Sequence, residues 1–405
     1  MTERGLVGID AIQDARRRLQ DVAVSTPLDR SRALSDRAGA EVFIKCESLQ
    51  RTGSFKIRGA YNRICRLTPD ERRAGVVAAS AGNHAQGVAL AASLTGTPAT
   101  VFMPESASLP KLEATRRYGA EVRLVGKDFG EAFAASQAHA QETGAVFVHP
   151  FDHPDVIAGQ GTIGLEIAEQ LSGIGTVIVP VGGGGLISGI AAAIRSVAES
   201  ARVIGVQAKG ASSFAPSLEA GSPVTLEHMS TIADGIAANS PGENTLAHVS
   251  ALVDAVVDVA DETIAESLVF AVERMKLVLE PAGAAGIAAI LENRVELVPP
   301  VVVVLSGGNI DPLLLQRVIR YGLSASGRYF AFHTRIPDLP GELHRLLGLI
   351  AEQGANVVGV EHHREGVAVH LGEVEVALEI ETRGREHIQR VTDELRDAGY
   401  GVVRL

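Results

Sequence analysis

Short apolar runs rich in β-branched residues alternate with longer alanine-rich stretches along most of the chain. The runs are Glu41–Lys45, Gly75–Ala79, Ala99–Phe102, Glu121–Val125, Thr176–Val181, Val203–Gln207 and Val301–Leu305. Strands that are apolar along their whole length and separated by helices predict mainly parallel sheets covered on both faces. This α/β pattern continues to about Gly327.

Beyond Ser324-Ala-Ser-Gly327, a small polar linker, the pattern changes. Tyr329–Arg335 reads as a strand, and Gly341–Gln353 as a helix with Leu343, Leu346, Leu347 and Ile350 on one face. Asn356–His363 and Glu373–Glu381 read as strands, Glu386–Ala398 as a helix and Gly401–Leu405 as a last strand. That order, βαββαβ, predicts a separate ferredoxin-like domain over residues 328–405, after an α/β region over 1–325.

Composition narrows the setting. The 405 residues exceed one ordinary domain, and 46% hydrophobic residues supply ample core. A net charge of −11 argues against nucleic acid or an anionic membrane as partner, since either selects a basic face. Two cysteines without motif spacing, Cys46 and Cys65, exclude a disulfide framework, and a cytoplasmic setting is expected. Leu171–Ile194 carries no charge and is long enough to span a bilayer. Four consecutive glycines at its centre would break a membrane helix, so a buried strand, a loop and a helix are expected instead.

Lysine is scarce: Lys45, Lys56, Lys111, Lys127, Lys209 and Lys276 are the full set. Lys111, Lys127, Lys209 and Lys276 read as solvated surface, and Lys45, at a strand end, as a lysine that snorkels to solvent. Lys56 follows Thr52-Gly53-Ser54-Phe55 and opens a helix over Ile57–Cys65. The positive end of the helix dipole and nearby Arg58 would favour a neutral, nucleophilic amine. On local context alone, an ordinary surface lysine in a first turn is the stronger reading.

Three loops at strand ends change that balance. Gly182-Gly-Gly-Gly185-Leu186, between the strand Thr176–Val181 and the helix Ile187–Ala198, offers successive backbone N–H groups to a phosphate. Its spacing fits neither a dinucleotide fingerprint nor a Walker loop. Ser80-Ala-Gly-Asn-His84 follows another strand and opens the helix Ala85–Leu94, suiting a carboxylate or a ring oxygen or serving as a plain helix cap. Ser306-Gly-Gly-Asn309 follows the strand Val301–Leu305, where open α/β sheets place ligands.

Together these segments resemble the fold-type II pyridoxal-phosphate enzymes, and among them the threonine ammonia-lyase (threonine dehydratase) family. The matching segments are Ser54-Phe-Lys-Ile-Arg-Gly-Ala60, Ser80-Ala-Gly-Asn-His-Ala-Gln-Gly87, Val156-Ile-Ala-Gly-Gln-Gly-Thr162, Gly182–Leu186, Glu280-Pro-Ala-Gly283 and Ser306-Gly-Gly-Asn309. The resemblance implies two α/β subdomains, the smaller roughly 54–148, and pyridoxal 5'-phosphate as cofactor. It implies Lys56 as the lysine that carries the cofactor, with Lys56 and Ser80 as the catalytic residues. Asn83 would meet the ring hydroxyl, Gly182, Gly183, Gly184, Gly185 and Leu186 the phosphate, and Ser306 the pyridine nitrogen. Phe55 would pack near the ring, and Glu280 would lie in the cofactor site without a defined role. Ser80, Ala81, Gly82, Asn83 and His84 would form the substrate loop.

The tail resembles an ACT regulatory domain, with Ile336-Pro-Asp-Leu-Pro-Gly-Glu-Leu343 as its first strand-to-helix turn. An amino-acid effector is expected at Asp338, Leu339, Gly341, Glu342 and Leu343, and the alternative is a purely structural or oligomerising domain. A homodimer or homotetramer is expected.

Two departures refine the activity. Serine racemases carry a second serine in the 80–84 loop as an opposite-face acid/base, and here that position is Ala81. Those relatives also hold a divalent cation with acids after the strand that follows the glycine loop. Val206-Gln-Ala-Lys-Gly-Ala-Ser-Ser213 has none, so no metal is expected. The implied activity is α,β-elimination of a hydroxy amino acid. The alternatives are an L-serine dehydratase and, in another class, a non-catalytic amino-acid sensor.

Overall fold

The computed structural model describes residues 5–363 and 372–405. The chain divides into two compact units, Met1–Leu314 and Leu315–Leu405. In the first, β1 (Leu28–Arg30), β2 (Val42–Lys45), β3 (Val76–Ala79), β4 (Ala99–Met103), β5 (Glu121–Leu124), β6 (Val146–Phe147), β7 (Thr176–Pro180), β8 (Arg202–Ala208), β9 (Ala255–Val259) and β10 (Val301–Val304) form two sheets. The larger has the order β1-β2-β10-β7-β8-β9 and is parallel except at β1. The smaller, β5-β4-β3-β6, is parallel throughout.

Every residue of β3, β7 and β10 is buried, which is why these strands read as unbroken apolar runs. Three strands did not announce themselves. Asp29 and Arg30 fill most of β1, β6 has two residues, and β9 is mainly half-buried. The uncharged stretch 171–194 becomes β7, the glycine loop and most of the helix Gly185–Val197. Among the described residues no helix is long and apolar enough to cross a membrane.

The helix Lys56–Cys65 lies against the helices Asn83–Thr95 and Pro154–Gln170 at backbone distance. A Cβ on Gly87 would come within 3.0 Å of the Lys56 carbonyl carbon, and one on Gly159 within 2.6 Å of Arg58 O. Pro154–Gln170 crosses Gly185–Val197 in the same way: a Cβ on Gly189 would lie 2.3 Å from Ile157 O. Several motif glycines are therefore packing surfaces.

Lys45 corrects the sequence reading: it is fully buried rather than snorkelling. Its ammonium donates to Thr26 O at 2.7 Å, Glu166 at 2.7 Å and Gln170 at 2.9 Å, which uses all three protons. Arg58 meets both oxygens of Glu47, at 2.9 and 2.8 Å, and both of Glu166, at 2.5 and 3.0 Å. It also donates to Thr162 Oγ1 and Val24 O. Burial opposes the charge on Arg58, but Glu47 and Glu166 outweigh it and hold the guanidinium above its ordinary pKa. Burial likewise opposes Glu166, and Arg58 and Lys45 nonetheless hold its carboxyl below the ordinary value.

The second unit contains β11 (Tyr329–Pro337), β12 (Asn356–His363), β13 (Glu373–Glu381) and β14 (Val403–Arg404), with the helices Glu342–Glu352 and Arg385–Asp397. Its antiparallel sheet has the order β12-β13-β11-β14, the ferredoxin-like βαββαβ arrangement. Phe330, Phe332, Val376, Leu378, Leu346 and Ile350 fill its core. The division between units falls inside the helix Pro312–Ala325, upstream of the expected linker. Arg320 of that helix pairs with Glu379 and Tyr329.

Arg58→Leu would strand Glu47 and Glu166 without their main partner. Loss of one member of a buried pair costs about 3–5 kcal/mol, and a drop of that size is expected in the denaturant-induced unfolding of the first unit. A change near zero would mean that the carboxylates reach water.

Candidate active site

The sequence motifs converge at the C-terminal ends of the parallel strands. Phe55 precedes the helix Lys56–Cys65, so Lys56 is its first residue. The Lys56 side chain opens into the site, and its Nζ donates to Pro150 O at 2.9 Å. Burial holds its amine down at about 8 from 10.5, against the opposing pull of Glu280. Arg58 contributes nothing to this, because its guanidinium turns away to Glu47 and Glu166. Burial, and not a neighbouring cation, is what favours the neutral amine.

Ser80 ends the β3 turn with its Oγ accepting from Gly82 N–H at 3.1 Å, which leaves its own proton to donate. Ala81, Gly82 and Asn83 are half-buried and follow it into the helix Asn83–Thr95. His84 sits differently from the expectation that it faces substrate. Its ring is buried, Nε2 meets Val148 O at 2.8 Å, and burial with Lys56 nearby lowers its pKa to about 3. That nitrogen belongs to the fold.

The glycine loop meets the requirements of a phosphate. Gly184 has φ +94, and a Cβ on Gly183 or Gly185 would collide with Phe151. Among the described residues, the N–H groups of Gly182 to Leu186 find no backbone acceptor, although they crowd the start of the helix Gly185–Val197. Unsatisfied N–H groups at a helix N-terminus suit an anion. With the Lys56 amine for an aldehyde, the residues present fit pyridoxal phosphate.

Glu280 and Ser306 are both 3% exposed. Burial, with Asp234 adding to it, raises the Glu280 carboxyl to about 7 against the opposing effects of Asn83, Lys111 and Lys56. Lys111 is not plain surface: it meets Asp234 at 2.7 Å and is 19% exposed. His149 and Phe151 were not anticipated. His149 Nδ1 accepts from the N–H groups of Asp152 and Phe151, at 2.7 and 3.3 Å, so the neutral ring carries its proton on Nε2. Burial lowers its pKa to about 4, with Asp152 opposing and Lys56 reinforcing. The signal was present as His149-Pro-Phe-Asp-His153 just after β6, but β6 itself is too short to mark a strand end.

Chemistry rather than volume identifies this site. A cavity of about 580 Å³ lies elsewhere, lined by Asp29, Arg32, Cys46 and Arg274, and includes none of the motif residues. In the C-terminal unit, Gly341 has φ +97 and caps the helix Glu342–Glu352. The N–H groups of Asp338, Leu339 and Glu342 are spent on Gly372 O, Pro337 O and Leu339 O. Among the described residues, those of Gly341 and Leu343 have no backbone acceptor. No cluster of metal-ligating side chains occurs among the described residues.

A family model described as pyridoxal-phosphate dependent enzyme matches residues 19–307. L-threonine ammonia-lyase of Thermotoga maritima is 48% identical over 397 residues, 98% of this chain and 99% of that protein. The processed form of threonine deaminase isoform 2 from Solanum lycopersicum superposes with a TM-score of 0.74 at 40% identity, covering 77% of this chain and 87% of that one. Maize serine racemase superposes equally well, with a TM-score of 0.74 at 38% identity over 78% of this chain and 98% of that one.

Cofactor-free protein should take up pyridoxal phosphate faster as pH rises, because only neutral Lys56 reacts. The rate, followed by visible absorbance, is expected to climb about tenfold per pH unit and level off above about pH 8. A rise continuing toward the ordinary lysine value of 10.5 would show that burial does not control the amine.

Proposed function

The chain belongs to the pyridoxal-phosphate dependent enzymes, and from that premise we infer that it is a threonine ammonia-lyase, converting L-threonine to 2-oxobutanoate and ammonia and acting also on L-serine. When bound, pyridoxal phosphate supplies an aldehyde for the substrate amine and a conjugated ring that takes up the charge left at Cα. The protein supplies the rest. Lys56 Nζ, kept neutral by burial, removes the Cα proton. Ser80 donates its remaining proton to the substrate carboxylate, with the N–H groups of the 80–84 loop beside it. Gly182 to Leu186 would hold the phosphate, Asn83 would meet the ring hydroxyl, Phe55 would flank the ring and Ser306 would meet the pyridine nitrogen.

Two features favour elimination over other reactions of this cofactor. A serine cannot stabilise a protonated pyridine nitrogen as a carboxylate would, so the ring is a weaker electron sink. Loss of a β-hydroxyl demands less of that sink than transamination does. The observation that carries the reading is Ala81, which gives the opposite face of the substrate no hydroxyl in this loop. Since a racemase superposes as well as a threonine deaminase, fold alone does not separate these activities.

An amino-acid effector such as isoleucine or valine binds the turn Asp338–Leu343, which supports a regulatory role in a cytoplasmic homo-oligomer. Among the described residues, the N–H groups of Gly341 and Leu343 at a helix start have no backbone acceptor, which favours this over a purely structural domain.

Lys56→Ala is expected to abolish 2-oxobutanoate release from threonine and the visible absorbance of the bound cofactor. Retention of either would remove Lys56 from the chemistry. Ala81→Ser should raise the formation of D-serine from L-serine above the parent's level on chiral chromatography, and no rise would mean that another residue sets the outcome. Removal of residues 329–405 should abolish any response to branched-chain amino acids, so a response that persists would place the effector elsewhere.

A further inference from the structure

Asn83 is held at both ends of its amide. Its Nδ2 donates to Glu280 Oε1 at 2.6 Å, and its Oδ1 accepts from Asn309 Nδ2 at 2.8 Å. Asn309 Nδ2 also donates to Thr52 O at 2.6 Å. This chain has a direction, because a backbone carbonyl only accepts. Thr52 O obliges Asn309 to present its NH2 group, and both protons of that group are then spent. Asn83 must in turn offer its oxygen to Asn309 and its NH2 group to Glu280. One Asn83 N–H remains uncommitted.

The surrounding backbone is shaped around these side chains. A Cβ on Gly53, where φ is +70, would lie 2.3 Å from Asn309 Oδ1. A Cβ on Gly307 would lie 2.0 Å from Glu280 Oε1 and 3.2 Å from Asn83 Nδ2. The loops involved also bond to one another: Gly308 N–H meets Gly53 O, Phe55 N–H meets Ser306 O, and Glu280 N–H meets Gly307 O. The relay therefore starts in the segment that leads into Lys56, passes through the substrate loop at Asn83 and ends at Glu280.

We propose that Asn309 and Glu280 are positioning residues that fix the orientation of the Asn83 amide, so that Asn83 presents an N–H donor to the ring oxygen of the cofactor. This rests on the reading of Asn83 as the ring-hydroxyl partner. A donor there favours the ionised oxygen, whereas the reversed amide would present an acceptor and repel it. Asn309 acts only through Asn83.

The test is a double-mutant cycle in the full-length chain. It is read as the dissociation constant for pyridoxal phosphate and the absorption maximum of the bound cofactor. Asn309→Asp keeps the shape but removes both donors, so affinity is expected to fall about tenfold or more, with a displaced absorption maximum. Asn83→Ala should do the same, and the double variant should be no worse than Asn83→Ala alone. Additive losses would overturn the relay while leaving Asn83 as the cofactor's partner. An Asn83→Ala variant that binds and absorbs like the parent would overturn both the relay and that reading of Asn83. Glu280→Leu approaches from the other end and should weaken binding similarly. Glu280→Gln, which keeps an acceptor, should restore affinity to within about threefold of the parent. Failure of that rescue would also overturn the relay. Should Asn309→Asp not fold, Asn309→Ala takes its place in the cycle with the same outcomes.

Discussion

The bidentate grip of Arg58 on Glu47 and Glu166 is the constraint on which the catalytic unit depends. Glu47 follows β2, Glu166 sits in the helix Pro154–Gln170, and Arg58 lies two residues beyond Lys56. With Lys45, the network holds two positive and two negative side chains that are at most 13% exposed. Buried ion pairs add little net stability over well-packed apolar groups, but they tolerate few geometries. Here that selectivity sets the register of the helix that presents the reactive amine. Lys56 lies at the rim of a rigid charged core.

That arrangement also explains the electrostatics of Lys56. A guanidinium left free beside it would compete for the same solvent and counter-charges. With Arg58 neutralised by carboxylates, the amine is governed by burial, and Glu280 is the opposing charge. The site thus combines a depressed lysine with a raised carboxyl. Groups with pKa values displaced in this way are common where protons are moved.

Much of this was legible in the sequence, for reasons that differ by residue. Strands buried on both faces declare themselves by composition, as β7 and β10 do. Glycines, Ser80 and Asn83 are readable at strand ends because few residue types offer backbone N–H groups or short polar side chains there. Lys45 was misread because its partners, Glu166 and Gln170, lie more than a hundred residues away in sequence. Arg58 was given the wrong role because proximity in sequence to Lys56 does not say where a long side chain goes. His84 looked like part of a binding loop, yet a helix start turns some residues inward. Strands β1 and β6 are short, β9 is a half-buried edge strand, and pairing with neighbours is what makes them strands.

The backbone-to-backbone crossing of Pro154–Gln170 and Gly185–Val197 has a bearing on how such a site can diversify. No side chain lies between Gly189 and Ile157 O to absorb a change. Any bulk introduced there moves the phosphate loop and Glu166 together, and with Glu166 the helix of Lys56. The anchoring half of the site is therefore inherited as one piece. Variation in substrate preference has to come from residues outside that crossing, such as Ala81, where one side chain can be exchanged without dislodging the cofactor's seat.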